Sequence, residues 1–273
     1  MTNQTVKSFG SRLRWWRERR GLSQLELAAA ASTTQRHVSF LESGRTSPSR
    51  EMVLRLAATL DVPLRQQNAL LLAAGFAPAW HERDLSAPEL AKVNSALDFM
   101  LAQQEPYPGF VVDRRWNVLR ANLGAQRLTE YLTGPAPAPP PSEPVNLAEA
   151  LVSPDGLRPF IDNWEDVALY FLRGVQADAL ADGTAETAQL LKRLLAFPGL
   201  PALSQVVPPG EGQAPVLAIH FRRDQTSLRL FTAIATLGTP LDVTVQEIRV
   251  EGFFPADDET AQIFHEWAGR AKT

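Results

Sequence analysis

The chain contains no cysteine in 273 residues, which excludes disulfides, thiolate metal sites and a cysteine nucleophile. It has no run of about 18 apolar residues, so no membrane-spanning helix and no membrane partner are expected. The opening residues MTNQTVKSFG lack the apolar segment of a secretion signal, and the expectation is a cytoplasmic protein. Catalytic patterns are missing as well: there is no Ser-His-Asp order with nucleophile-elbow glycines, no phosphate-binding glycine loop and no zinc-protease pattern. The four histidines, His37, His81, His220 and His265, lie in unlike contexts that do not suggest a metal set. With 45% hydrophobic and 21% charged residues, the composition is that of a globular chain long enough for two domains.

Charge is unevenly placed. Residues 1–75 hold eleven Lys and Arg against five acids, a net of +6, and the remainder holds sixteen against twenty-five, a net of −9. A basic first part gains from phosphate contact, whereas the acidic remainder is repelled by it.

The stretch LSQLELAAAASTTQRHVSFLESGR, from Leu22 to Arg45, reads as two short helices around a tight turn. The spacing predicts one helix from Gln24 to Ala31, with Leu25, Ala28 and Ala31 on its inner face. A second runs from Thr34 to Glu42, with Val38 and Leu41 inward. Ser32 or Thr33 is expected to cap the second helix. Its outward face carries Gln35, Arg36, His37 and Ser39, a polar set suited to base edges in a DNA major groove. Gly44 suits the helix end, where positive φ is common.

LSQLELA, TTQ and LESGR resemble the phage lambda-repressor-like helix-turn-helix domains of the XRE class. The resemblance implies that Gln24 holds the DNA backbone and braces a reading residue, while Gln35 and Arg36 lead base contact. Ser39 and Phe40 complete the candidate reading set, with Phe40 either touching a thymine methyl or packing inside. Thr34, His37, Arg45, Ser49, Arg50 and Arg17 are the further candidates for the DNA backbone.

Along the chain, Phe9, Leu13 and Trp16 form the inner stripe of a first helix, with Arg12, Arg17, Arg19 and Arg20 expected outside. Pro48 stands near the start of a fourth helix, with Ser47 or Ser49 as its cap, and a fifth follows Pro63. This gives an all-α five-helix domain over 1–77, then a linker and connecting helix over 78–105. Residues 106–273 follow as a third segment. There, Phe110 to Val112 and Trp116 to Leu119 are short strand candidates, and GPAPAPPPSEP, residues 134–144, is an extended proline-rich loop. Three longer strands are expected at Val216 to Arg222, Leu228 to Leu237 and Val243 to Val250. Glu247 and Glu251 would then share one strand face as a surface ion ladder with Arg249. Two early strands, several helices and three late strands are the order of an α+β PAS-like domain whose antiparallel sheet carries helices on one face.

PYPGFVVDRRWNVLRAN, SPDGLRPFIDNWEDVA, FTAIATLGTPLDVTVQEIRVEGFFPADDET and SFLESGRTSPSREMVLRLA resemble bacterial XRE regulators with an MmyB-like ligand-binding domain. That resemblance implies a PAS-like sensory domain with an apolar cavity for a fatty acid or similar lipid-like molecule. No other cofactor is expected. Apolar candidates for the cavity are Phe110, Val112, Trp116, Phe171, Phe231, Ile234 and Ile248. Tyr107, Arg158, Asn163, Tyr170 and Arg229 are candidate polar anchors.

The reading is a homodimeric regulator that binds a palindromic operator in double-stranded DNA under control of a small apolar ligand. Two rivals stand beside it. The second domain could serve only dimerisation or protein contact, or the chain could be an enzyme with a regulatory head.

Overall fold

The computed structural model describes residues 8–135, 144–182, 184–203 and 216–270, so most of the proline-rich loop lies outside the described residues. Two compact units emerge: Met1–Arg83 with Pro240–Gln246, and Asp84–Thr239 with Glu247–Thr273.

The first unit is built from α1 (Phe9–Arg19), α2 (Gln24–Ala30), α3 (Gln35–Glu42), α4 (Arg50–Thr59) and α5 (Leu64–Ala73). Phe9, Leu13, Trp16, Leu27, Val38, Leu41, Leu56 and Leu70 meet in one buried core. Hydroxyls of Ser8, Ser23, Thr34 and Ser49 start the first four helices because the first amides of a helix have no partner inside it. Ser23 accepts from Glu26 N while the Glu26 carboxylate accepts from Ser23 N, a reciprocal cap on α2. Thr34, rather than Ser32 or Thr33, caps α3, since Ser32 is spent on the turn at φ 51°. Leu25 is 60% exposed, against the expectation that it faces inward. At 3.6 residues per turn, Leu27, Ala28 and Ala31 share an inward arc that leaves Leu25 outside. Gly10 lets α1 approach α3: a Cβ there would stand 2.5 Å from the carbonyl oxygens of Leu41 and Glu42.

The unit also takes in the seven residues Pro240–Gln246. Asp242 accepts from Arg83 at 2.8 Å, and Gln246 Oε1 accepts Leu64 N at 2.7 Å, supplying α5 with the cap that Pro63 cannot. The expected strand at Val243 to Val250 is therefore corrected. Val243–Glu247 is a short helix, α11, opened by Asp242 accepting from Thr244 N, and the strand proper starts at Arg249.

In the second unit come α6 (Ala91–Gln104), β1 (Gly109–Val112), β2 (Val118–Ala121), α7 (Leu123–Thr133), α8 (Leu147–Val152), α9 (Trp164–Asp182) and α10 (Ala185–Leu194). Then follow β3 (Ala218–Arg223), β4 (Thr226–Thr236), β5 (Arg249–Pro255) and α12 (Asp258–Arg270). The strands form one antiparallel sheet in the order β2-β1-β5-β4-β3, with the helices between β2 and β3 crossing from one edge to the other, as in a PAS-like fold.

Helices cover both faces, not one. Leu97 and Leu101 of α6 pack on Val111, Ile248 and Val250. The larger core lies on the opposite face, between the sheet and α7, α8, α9, α10 and α12. Alternation along β5 decides the division, since successive side chains point to opposite faces. Buried Asn122 ties the first face together: its Oδ1 accepts from Gly109 N and Ala125 N, and its Nδ2 donates to Tyr107 O and Leu101 O. Trp116 lies before β2 at φ 65°, in a turn that Asp113 holds by accepting from Arg115 N and Asn117 N.

Candidate DNA-reading surface and ligand cavity

The exposed side of α3 presents Gln35 and Arg36, with His37, Ser39 and Phe40 half-buried beside them. The Thr34 hydroxyl accepts from His37 N, and the Thr33 hydroxyl meets His37 Nδ1 at 3.0 Å, which fixes the first turn. Phe40 does not join the core. The guanidinium of Arg36 sits 5.1 Å from its ring centre and that of Arg45 5.6 Å, so one flat apolar ring holds two cations. Such a pair of arginines over one aromatic gathers positive charge beside the exposed side of α3. Ser49 caps α4 by accepting from Met52 N, which leaves exposed Arg45 and Arg50 on either side of that helix start.

Glu42 anchors this surface from beneath. It accepts from Arg17 Nε at 2.6 Å, Arg17 Nη2 at 3.1 Å and Gln24 Nε2 at 2.8 Å. Arg17 also donates to Leu22 O at 2.8 Å and is only 8% exposed. This corrects the expectation that Arg17 remains outside: its three donor nitrogens are used inside the unit, so it supports the helices. Gln24 is likewise held by Glu42, the partner that fixes its direction.

In the second unit a cavity of about 560 Å³ opens between the sheet and α9. Trp116, Ile219, Phe253 and Thr232 form its floor and sides, while Val167, Phe171, Gly174 and Ala177 of α9 face them. The rim is apolar and exposed at Tyr170 and Ile234. Phe171 meets Trp116 edge-to-face at 4.5 Å. Four charged residues also line the space. Arg249 grips Asp178 with two hydrogen bonds of 2.5 and 2.7 Å and lies 5.6 Å from the centre of the Trp116 ring. Arg173 donates to Leu203 O at 3.3 Å. Glu251, 4% exposed in the middle of β5, is different: its Oε2 is buried without a hydrogen-bond partner among the described residues, as is Trp116 Nε1. Burial pushes the Glu251 carboxyl up to about 7, against the opposite pull of Arg249.

Residues 93–266, more than half of the chain, match the family model of the MmyB-like transcription regulator ligand binding domain. The chain belongs to the MmyB-like transcription regulators. A helix-turn-helix model matches residues 13–67, so this MmyB-like protein is a DNA-binding transcription regulator with a ligand-binding domain. No curated protein matches it. Among solved structures, an RNA-binding light-oxygen-voltage receptor is similar at 11% identity and a TM-score of 0.26, over 98% of this chain and 64% of that one. The MmyB-like chain thus spans less than two thirds of that protein's length. No helix among the described residues is long and apolar enough to cross a membrane.

Of the ligand candidates read from the sequence, the MmyB-like cavity brings together Trp116, Tyr170, Phe171 and Ile234. Val112 lies in the core beside it, and Phe110 packs edge-to-face on Phe253. Others are placed elsewhere. Ile248 is buried against α6, and Phe231 stacks on Phe254, because both sit out of step with the cavity-facing Glu251, Thr232 and Ile234. Asn163 joins the start of α9 to β3, donating to Ala218 O and accepting from His220 N. Arg158 covers the Trp164 ring at 3.6 Å and donates to Pro198 O, in a separate shallow pocket. Arg229 pairs with Asp257 at 3.9 Å, and the Tyr107 hydroxyl meets His265.

The surface ladder of Glu247, Arg249 and Glu251 is corrected too. Glu247 ends α11 and pairs with Arg114, whereas Arg249 and Glu251 turn into the cavity. A signal for Glu251 was present in IRVEGFF, where one acid alternates with apolar residues. That pattern does not say which face of a strand is covered.

Proposed function

We propose that this regulator acts in the cytoplasm as a homodimer on a palindromic operator, and that a small lipid-like ligand in the second unit, a fatty acid or a related chain, sets its affinity for DNA. The observation that carries the DNA part is the Arg36–Phe40–Arg45 stack, with exposed Arg36 on a capped α3 beside Gln35 and exposed Arg45 just beyond it. Gln35 is suited to an adenine and Arg36 to a guanine, each contact worth roughly 1–3 kcal/mol of discrimination when bidentate. One helix-turn-helix reads few base pairs, and two-fold pairing on repeated half-sites doubles that surface. The ligand part is supported by the size and apolar lining of the cavity, which lies within the range of small-molecule sites. Such a ligand alters regulation only through unequal affinity for the DNA-competent and incompetent states.

The test begins with selection of an operator from random duplexes, followed by gel-shift titration of Gln35→Ala and Arg36→Ala against single-base variants. Each substitution is expected to flatten the preference at its own base pair. Uniform weakening across every variant would reduce these residues to positioning contacts, and no enriched duplex would defeat the DNA reading.

A further inference from the structure

We propose, resting on the reading of this cavity as the ligand site, that the ligand carries an uncharged head group that both donates and accepts hydrogen bonds, an amide or a hydroxyl, held between the Glu251 carboxyl and the Trp116 indole N–H. Among the described residues, two buried side-chain polar atoms lack a hydrogen-bond partner, and both belong to residues lining this one cavity. A buried polar atom left unpaired is costly, and these two in one cavity call for a partner that serves both. Trp116 Nε1 only donates. Glu251 Oε2 accepts when ionised and donates when protonated.

Glu251 stands on central β5 with Phe110 of β1 and Ile234 of β4 as its register partners. Trp116 is held by the Phe171 ring on one side, with the Arg249 guanidinium nearby. Gly174 and Ala177 of α9 and Thr232 of β4 leave room for a chain alongside.

An amide matches this pair in either state of the acid: its carbonyl accepts the indole N–H, while its N–H donates to Glu251 when that is ionised and its carbonyl also accepts the Glu251 O–H when that is protonated. A hydroxyl does the same with one oxygen. Above pH 7, where Glu251 is ionised, an ionised carboxylate head fits poorly, because it would face a like charge while Arg249 is committed to Asp178 and Arg173 donates to Leu203 O. With Glu251 ionised, the cavity therefore selects neutral, hydrogen-bonding derivatives of an acyl chain over the free acid.

The experiment titrates the full chain by calorimetry at pH 8, once native mass spectrometry shows it free of co-purified molecules. The probes are dodecanamide, dodecanol, dodecanoate and methyl dodecanoate. Dodecanamide and dodecanol are expected to bind roughly tenfold more tightly than dodecanoate, since a site built to hydrogen-bond rejects what leaves it unpaired. Glu251→Leu and Trp116→Phe each lower dodecanamide affinity roughly tenfold, the worth of one hydrogen bond, and leave methyl dodecanoate unchanged in the first case. Glu251→Gln keeps the amide and improves dodecanoate, because the repelling charge is gone. Circular dichroism confirms that each variant folds.

Equal binding of dodecanoate and dodecanamide by the unaltered protein, or retention of the amide preference by Glu251→Leu, overturns the head-group assignment while sparing the cavity. If none of the four probes binds the folded chain, the cavity reading falls and the assignment falls with it.

Discussion

Glu251 gives stability a dependence on pH that runs opposite to ordinary acid denaturation. Its carboxyl titrates at about 7 in the fold, against an ordinary value of 4.5, because β5 buries it to 4% exposure. The fold thus favours the protonated form. Its contribution is fully present below pH 4.5, is lost as pH rises toward 7, and is flat above that. At about 1.4 kcal/mol per pH unit, the whole change is about 3 kcal/mol. Nearby charges are Arg249 on β5 and Asp178 and Arg173 on α9, and the first two compensate one another. Urea unfolding of the wild type and Glu251→Gln at pH 5, 6, 7 and 8 isolates the effect. Every other titrating group is common to the two chains, so the difference between their stabilities reports Glu251. Relative to its standing at pH 5, the Gln variant is expected to gain up to about 3 kcal/mol by pH 8, most of it between pH 5 and 7. A difference that stays level across this range would refute the argument, showing that the carboxylate is solvated or paired in the folded chain.

Two further outcomes concern the first unit. Glu42→Ala leaves the buried Arg17 without its carboxylate and frees Gln24, and should destabilise the unit by about 3–5 kcal/mol; pairing it with Arg17→Met should recover much of the loss, and an unchanged melting temperature for Glu42→Ala would contradict the role given to this ion pair. Gly10→Ala places a methyl 2.5 Å from two backbone carbonyl oxygens of α3, so α1 must shift; thermal unfolding should show a loss of about 1–3 kcal/mol, and a neutral result would mean that the two helices separate freely.

Local pattern carried far in the helical part. Phe9, Leu13 and Trp16 recur at helical spacing and all three are buried, and the TTQ turn and Gly44 mark the ends of α3, with Gly44 at φ 72°. Helix period and turn residues are set by neighbours in the chain, so one sequence suffices to read them, whereas the α3 cap falls on Thr34 and the α5 cap comes from distant Gln246. Leu25 was harder: a seven-residue helix offers too few apolar positions for periodicity to choose among them.

In the second unit, strand number and antiparallel order were legible, while register and facing were not. VTVQEIRV alternates as a strand does, yet its first half is α11, because Asp242 and Gln246 find partners at Arg83 and Leu64, far away in sequence. The same distance hides the role of Arg17, which its charge assigns to the surface and Glu42 draws inward. By itself the sequence determined the helix-turn-helix, the basic and acidic halves and the order of elements, all of which follow from residue type and short-range spacing. Only the tertiary structure decided which side of β5 is covered by α6 and which by α9. That choice makes Ile248 ordinary core and Glu251 a buried acid, because neighbouring strand residues differ in environment solely through what the rest of the chain lays over each face.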